Sequence, residues 1–91
     1  MWIKAQNGKL HSNEQFRTYE SEVKHGIMHQ LVGYTKDNRA VVLLKYSSFE
    51  KHNFIDVAMR RIENGIMNGQ RLVDLTGICE VDYTAHELGI V

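Results

Sequence analysis

The chain has little of what usually announces a partner or a compartment. Its 11 lysine and arginine residues balance 11 aspartate and glutamate residues, giving a formal charge of zero. A non-specific nucleic-acid binder carries a basic excess and a DNA mimic an acidic one, so nucleic acid is not favoured as a partner. There is one cysteine, Cys79, which excludes an intramolecular disulfide framework and fits a reducing compartment. No apolar run approaches a membrane span and the N-terminus lacks a signal-peptide pattern, so a cytoplasmic location is expected. A phosphate-binding glycine loop, a nucleophile elbow and a recognisable carboxylate pair are all missing. Proline is absent as well, from which no function follows. Ninety-one residues suffice for one modest core, and a single domain over 1–91 is expected.

What the chain does have is one long periodic stretch, Ser47 to Gly69. Ser47 and Glu50 stand at the spacing of a capping box, and Asn68-Gly69 supplies a left-handed terminator. Between them Ile55, Ala58, Met59, Ile62 and Ile66 recur at three- and four-residue steps, with Phe54 at the stripe's edge. His52, Asp56, Arg60 and Glu63 take the other side. The pattern predicts an amphipathic helix over about 48–68, weakened near its end by Gly65 at about 1 kcal/mol relative to alanine. Its apolar stripe needs a sheet to cover it.

Short extended segments surround that helix. Asn7-Gly8 predicts a type I′ hairpin turn between Met1–Gln6 and Lys9–His11. Glu14–Glu22 suits a strand, and Val23–Gly26 a turn hinged on Gly26. Ile27–Thr35 and the apolar run Ala40–Tyr46 predict a hairpin closed by the polar turn Lys36–Arg39. Gln70–Leu75 reads as a returning strand and Ile78–Tyr83 as a weaker one. Thr84–Glu87 repeats the capping-box spacing with too few residues after it for a stable helix. The class is therefore α+β: a mostly antiparallel β-meander (1–46) packed on one helix (47–69), followed by a short strand and tail (70–91).

Met1-Trp2-Ile3-Lys4-Ala5-Gln6, the meander, Tyr46-Ser47-Ser48 leading into the helix, and the closing Asn68-Gly69 also carry a likeness. Over residues 1–75 they resemble a group of small uncharacterised proteins of Gram-positive bacteria and their phages that open with a Met-Trp-Ile-Arg-Ser-Gln-like run. Here Lys4-Ala5 stands where arginine and serine are usual, and the tail from Thr76 has no counterpart. The resemblance implies a small sheet-plus-helix domain, phage-borne in that setting, and brings no catalytic residues.

Few residues invite chemistry. His25 and His29 are four apart, a metal spacing on a helix, but Gly26 and the strand pattern put them about 13 Å apart on extended backbone. No metal site or cofactor is expected. Cys79 with His86 or His11 as base would make a nucleophile pair, yet a lone cysteine between Ile78 and Val81 reads more simply as a small buried residue. The anion-binding candidates are Arg60, Arg61, Lys45 and Arg39, with Tyr34 as a stacking surface. The plainer reading pairs Arg60 with Asp56, solvates Arg61 and packs the aromatics on the sheet.

Three function classes follow, in order. The first is a non-enzymatic interaction protein that binds another macromolecule, for example a host defence component. The second is an oligomeric binder of a small anionic ligand such as a nucleotide, and the third is a small enzyme, for which no catalytic residues stand out. Apolar residues on both faces of Ile27–Thr35 and Ala40–Tyr46 predict a second uncovered sheet face, and hence a homodimer or higher oligomer unless the tail covers it.

Overall fold

The structure, a computed structural model, describes residues 1–47 and 54–78. Along them run β1 (Trp2–Lys4), β2 (Leu10–Ser12), a 3₁₀ turn (Asn13–Gln15), β3 (Phe16–Lys24), β4 (Met28–Thr35), β5 (Ala40–Ser47), α1 (Phe54–Met67) and β6 (Leu72–Asp74). The α+β class holds, with one correction of architecture. The meander expected over 1–46 is divided between two three-stranded sheets, ordered β2-β1-β6 and β3-β4-β5. The second is the antiparallel meander; in the first, β6 returns parallel to β1, with Ile3 opposite Val73.

Gln6 joins the sheets. Its backbone N–H donates to the Leu43 carbonyl at 2.8 Å. Its side-chain amide accepts from the Lys45 N–H and donates to the Lys45 carbonyl, both at 3.1 Å. One side chain thus does the work of a strand residue on the edge of β5, satisfying backbone groups that an unpaired edge would leave to water.

The turns follow local chemistry, but not at the expected place. Ala5–Lys9 closes through Gly8 N–H to the Ala5 carbonyl, and only Gly8 has positive φ. That is a three-residue loop ending in a left-handed residue, not the type I′ turn expected of Asn7-Gly8. The same loop recurs at Thr35–Arg39, with Asn38 in the left-handed position at φ 67°. The type I′ turn instead lies at His25-Gly26, both with positive φ, between Lys24 and Ile27.

The helix is shorter than expected. Its described span is the 14 residues Phe54–Met67; Ser47 belongs to β5, while Glu50 and His52 lie outside the described residues. Its end matches the expectation closely. Gln70 N–H reaches the Gly65 carbonyl, Gly69 N–H reaches that of Ile66, and Gly69 is left-handed, which together make a Schellman motif. The buried stripe is Phe54, Ile55, Ala58, Ile62 and Gly65, whereas Ile66 is 52 % exposed. Gly65 explains the rotation. A Cβ there would stand 2.4 Å from Val73 Cγ2 and 2.9 Å from Met1 Sδ, so the glycine lets the helix backbone settle on β6. A residue expected to weaken the helix is instead one at which it closely approaches β6.

One cluster joins both sheets and the helix: Ile3, Ala5, Phe16, Leu31, Leu43, Leu44, Phe54, Ile55, Ala58, Ile62, Val73, Leu75 and Ile78. Leu43 and Leu44 are adjacent yet both buried, because the β4–β5 register shifts between Leu31 and Val32 and makes Leu43 the extra residue of a bulge. Strict alternation would have sent Leu44 and Leu43 to opposite faces. The bulge therefore turns Leu43 inward and leaves Val42, with Val32 and Tyr34, on the other side. The outer side of β3-β4-β5 carries Arg17, Glu20, Glu22, Gln30 and Lys45 around a buried Val32 and a half-exposed Val42. Phe16 caps the inner side, its ring 2.7 Å from where a Cβ on Gly33 would sit.

Candidate functional site

The five candidate ligand residues do not converge. Tyr34 points outward from β4, its hydroxyl donating to Glu22 and its ring lying 5.7 Å beneath the Arg17 guanidinium. The Glu22 hydrogen bond is the main cause that holds the Tyr34 phenol above its ordinary pKa. Arg39 pairs with Asp37 at 3.1 Å in the exposed β4–β5 loop, where Thr35 chiefly lowers the Asp37 pKa through its hydroxyl. Lys45 lies opposite Gln30, four residues along β4 from Tyr34, or about 13 Å. Arg60 is exposed on α1, which packs on the far side of this sheet. Arg61 turns toward β6 and donates to the Asp74 carbonyl at 3.2 Å. A nucleotide could not touch all five.

The described histidines add no second centre. His25 sits in a turn, and His29 stacks on Tyr46 with ring centroids 5.1 Å apart. Among the described residues no group of three or more histidine, cysteine or acidic side chains is placed to hold a metal ion. Cys79, His86 and the segments Ile78–Tyr83 beyond Ile78 and Thr84–Glu87 lie outside the described residues. No helix among the described residues is long and apolar enough to cross a membrane.

The small sheet offers a better-formed surface. In β1, Ile3 faces the core, so Trp2 and Lys4 face out. In β6 Val73 faces the core, so Leu72 and Asp74 face out, and the register sets Leu72 beside Trp2 and Asp74 beside Lys4. On the other flank Leu10 lies opposite Lys4. Trp2, Leu10, Arg71 and Leu72 line a shallow, almost wholly apolar trough of about 310 Å³. Trp2 is 53 % exposed, Leu10 58 % and Leu72 47 %, so three large apolar side chains from three strands share one solvent-facing hollow.

A second hollow of about 360 Å³ meets the trough at Leu72. Arg61, Asn64, Gln70, Val73 and Asp74 complete its lining, between the end of α1 and the outer edge of β6. Asp74 accepts from the Thr76 hydroxyl at 2.5 Å and from the Thr76 N–H at 2.8 Å, and these bonds lower its pKa, helped by Lys4 and Arg61. No motif in the sequence marked Leu10 or Leu72. Their signal is parity: once Ile3 and Val73 are known to face inward, the neighbours must face out. That step needs the β1–β6 pairing, which joins residues some 70 positions apart.

Comparisons with protein-family models, with curated proteins and with solved structures each return no match for this chain.

Proposed function

We propose that the chain is a non-enzymatic interaction module that binds another protein through the Trp2–Leu10–Leu72 trough. The observation that carries this reading is the grouping of three large, half-exposed apolar side chains on one short sheet, one of them the chain's single tryptophan. Tryptophan is enriched among residues that dominate binding energy, because a flat ring gives a large contact area for little lost rotamer freedom. Apolar residues scattered singly need no partner, whereas a contiguous group rimmed by polar side chains marks an interaction site. A nucleotide or other small anion is the weaker reading, since the cations it would need are spread over both sides of the large sheet. Photo-cross-linking separates the surfaces. A photoreactive residue at Leu10 should trap a specific protein in native cells, and one at Val42, on the outer face of β5, should trap none. Adducts from Val42 with none from Leu10 would reject the trough; a dimer of the chain trapped from Leu10 would make a second copy the partner.

A further inference from the structure

We infer that the partner segment is an extended, acidic peptide that adds as a strand to the outer edge of β6 and seats a bulky apolar side chain beside Leu72 and Trp2. This rests on the trough being the binding surface and goes on to say what binds there and how.

The first ground is the backbone. β6 pairs with β1 through Trp2 N–H to the Arg71 carbonyl and Leu75 N–H to the Lys4 carbonyl. In a parallel ladder alternate residues bond to the same side, so the peptide groups of Leu72 and Asp74 point the other way. That direction is confirmed at one atom, the Asp74 carbonyl, which takes the Arg61 guanidinium. Among the described residues no strand pairs with this edge, since β6 ends the order β2-β1-β6. The Leu72 N–H and carbonyl and the Asp74 N–H therefore face the hollow between β6 and α1, at the spacing an incoming strand requires.

The second ground is charge. The chain as a whole is neutral. Among the described residues around these two hollows, however, Arg61, Arg71 and Lys4, which lies beside Asp74 in the β1–β6 register, stand against one carboxylate, Asp74 itself, which Thr76 already holds. A neutral protein with a local basic rim beside an apolar trough complements a segment that alternates acidic and large apolar residues. Strand addition supplies such a segment with main-chain hydrogen bonds for affinity and alternate side-chain positions for selectivity.

Two measurements on the 91-residue chain test this. Hydrogen exchange in the free protein should find the Leu72 and Asp74 amides fast relative to the Val73 amide, which faces β1. Slow exchange at both would mean that a second copy or residues 79–91 already cover the edge, and would overturn the proposal. A displayed library of random dodecapeptides selected on the chain should then enrich sequences that alternate aspartate or glutamate with phenylalanine, leucine or methionine. Their synthetic forms should protect Leu72 and Asp74 from exchange. N-methylation at alternate peptide positions, or Arg71→Glu in the chain, should weaken binding roughly tenfold or more. Enriched peptides that depend on Trp2 but are neutral or basic would overturn the acidic partner, and ones that tolerate N-methylation in every register would overturn strand addition, while either would leave the trough as the binding surface. A library that enriches nothing would overturn the peptide proposal, and the cross-linking result from Leu10 would then decide the trough by itself.

Discussion

Gly65→Ala sets two physical rules against each other. In an exposed helix interior the change should stabilise by about 1 kcal/mol, because alanine loses less backbone freedom on folding. Here the new Cβ would lie 2.4 Å from Val73 Cγ2 and 2.9 Å from Met1 Sδ. Met1 is half-buried and unbranched, so its thioether can swing aside. Val73 cannot do so: it is 3 % exposed, its χ1 is stiff, and its strand is pinned to β1. Overpacking of this kind costs about 1–3 kcal/mol, so the net change should be a loss of up to about 2 kcal/mol. Urea denaturation reads it directly. Shortening the opposing side chain should relieve it, so in a double-mutant cycle Gly65→Ala should cost less in a Val73→Ala background than alone. A stabilised Gly65→Ala variant, or a cycle with no coupling, would refute the close approach of α1 to β6.

Other perturbations probe separate parts of the structure. Ile62→Ala should cost about 2–5 kcal/mol because the side chain is 2 % exposed, while Ile66→Ala, at 52 % exposed, should stay within about 0.5 kcal/mol; equal losses in denaturant melts would restore the stripe expected from periodicity. Gln6→Ala removes both bonds to the Lys45 backbone and should cost about 1–3 kcal/mol, with Gln6→Glu recovering only the half that accepts from the Lys45 N–H; an unchanged melt for Gln6→Ala would mean the sheets do not need this link. Burial raises the Tyr19 phenol from 10.0 to about 12, so the unfolded chain ionises first and stability should fall as pH rises from about 10 through 12. Tyr19→Phe should show a smaller fall over that window, and identical alkaline melts would contradict the assignment.

Much of the fold could be read from local chemistry, and the errors have specific causes. β4 and β5 were legible because apolar, β-branched runs flank a polar turn, and the helix's end was legible because Asn68-Gly69 follows the last apolar turn. The type I′ turn was misplaced because Asn-Gly suits both that turn and a loop with a single left-handed residue; pairing of Ala5 with Lys9 selects the latter. Strict alternation misled at Leu43 and Leu44, where one extra residue sends both into the core. Helix propensity misled at Gly65, since it counts backbone entropy and ignores what a missing side chain allows to approach. The candidate site was the least legible part. Arg39, Lys45, Arg60, Arg61 and Tyr34 were chosen by chemical type, and type says nothing of which side of a sheet each will face. The trough depends on β6 returning beside β1, a non-local pairing with no turn or motif to mark it.

Trp2 tests that trough most directly, because it is the chain's single tryptophan and lies within it. In the dilute free chain its emission should be that of a partly hydrated indole, red-shifted and readily quenched by acrylamide. Adding the protein trapped from Leu10 should shift the emission to shorter wavelength and shield the ring from quencher. Emission already blue and protected in the free chain, or unchanged when that protein is bound, would contradict the Trp2–Leu10–Leu72 trough as the binding surface.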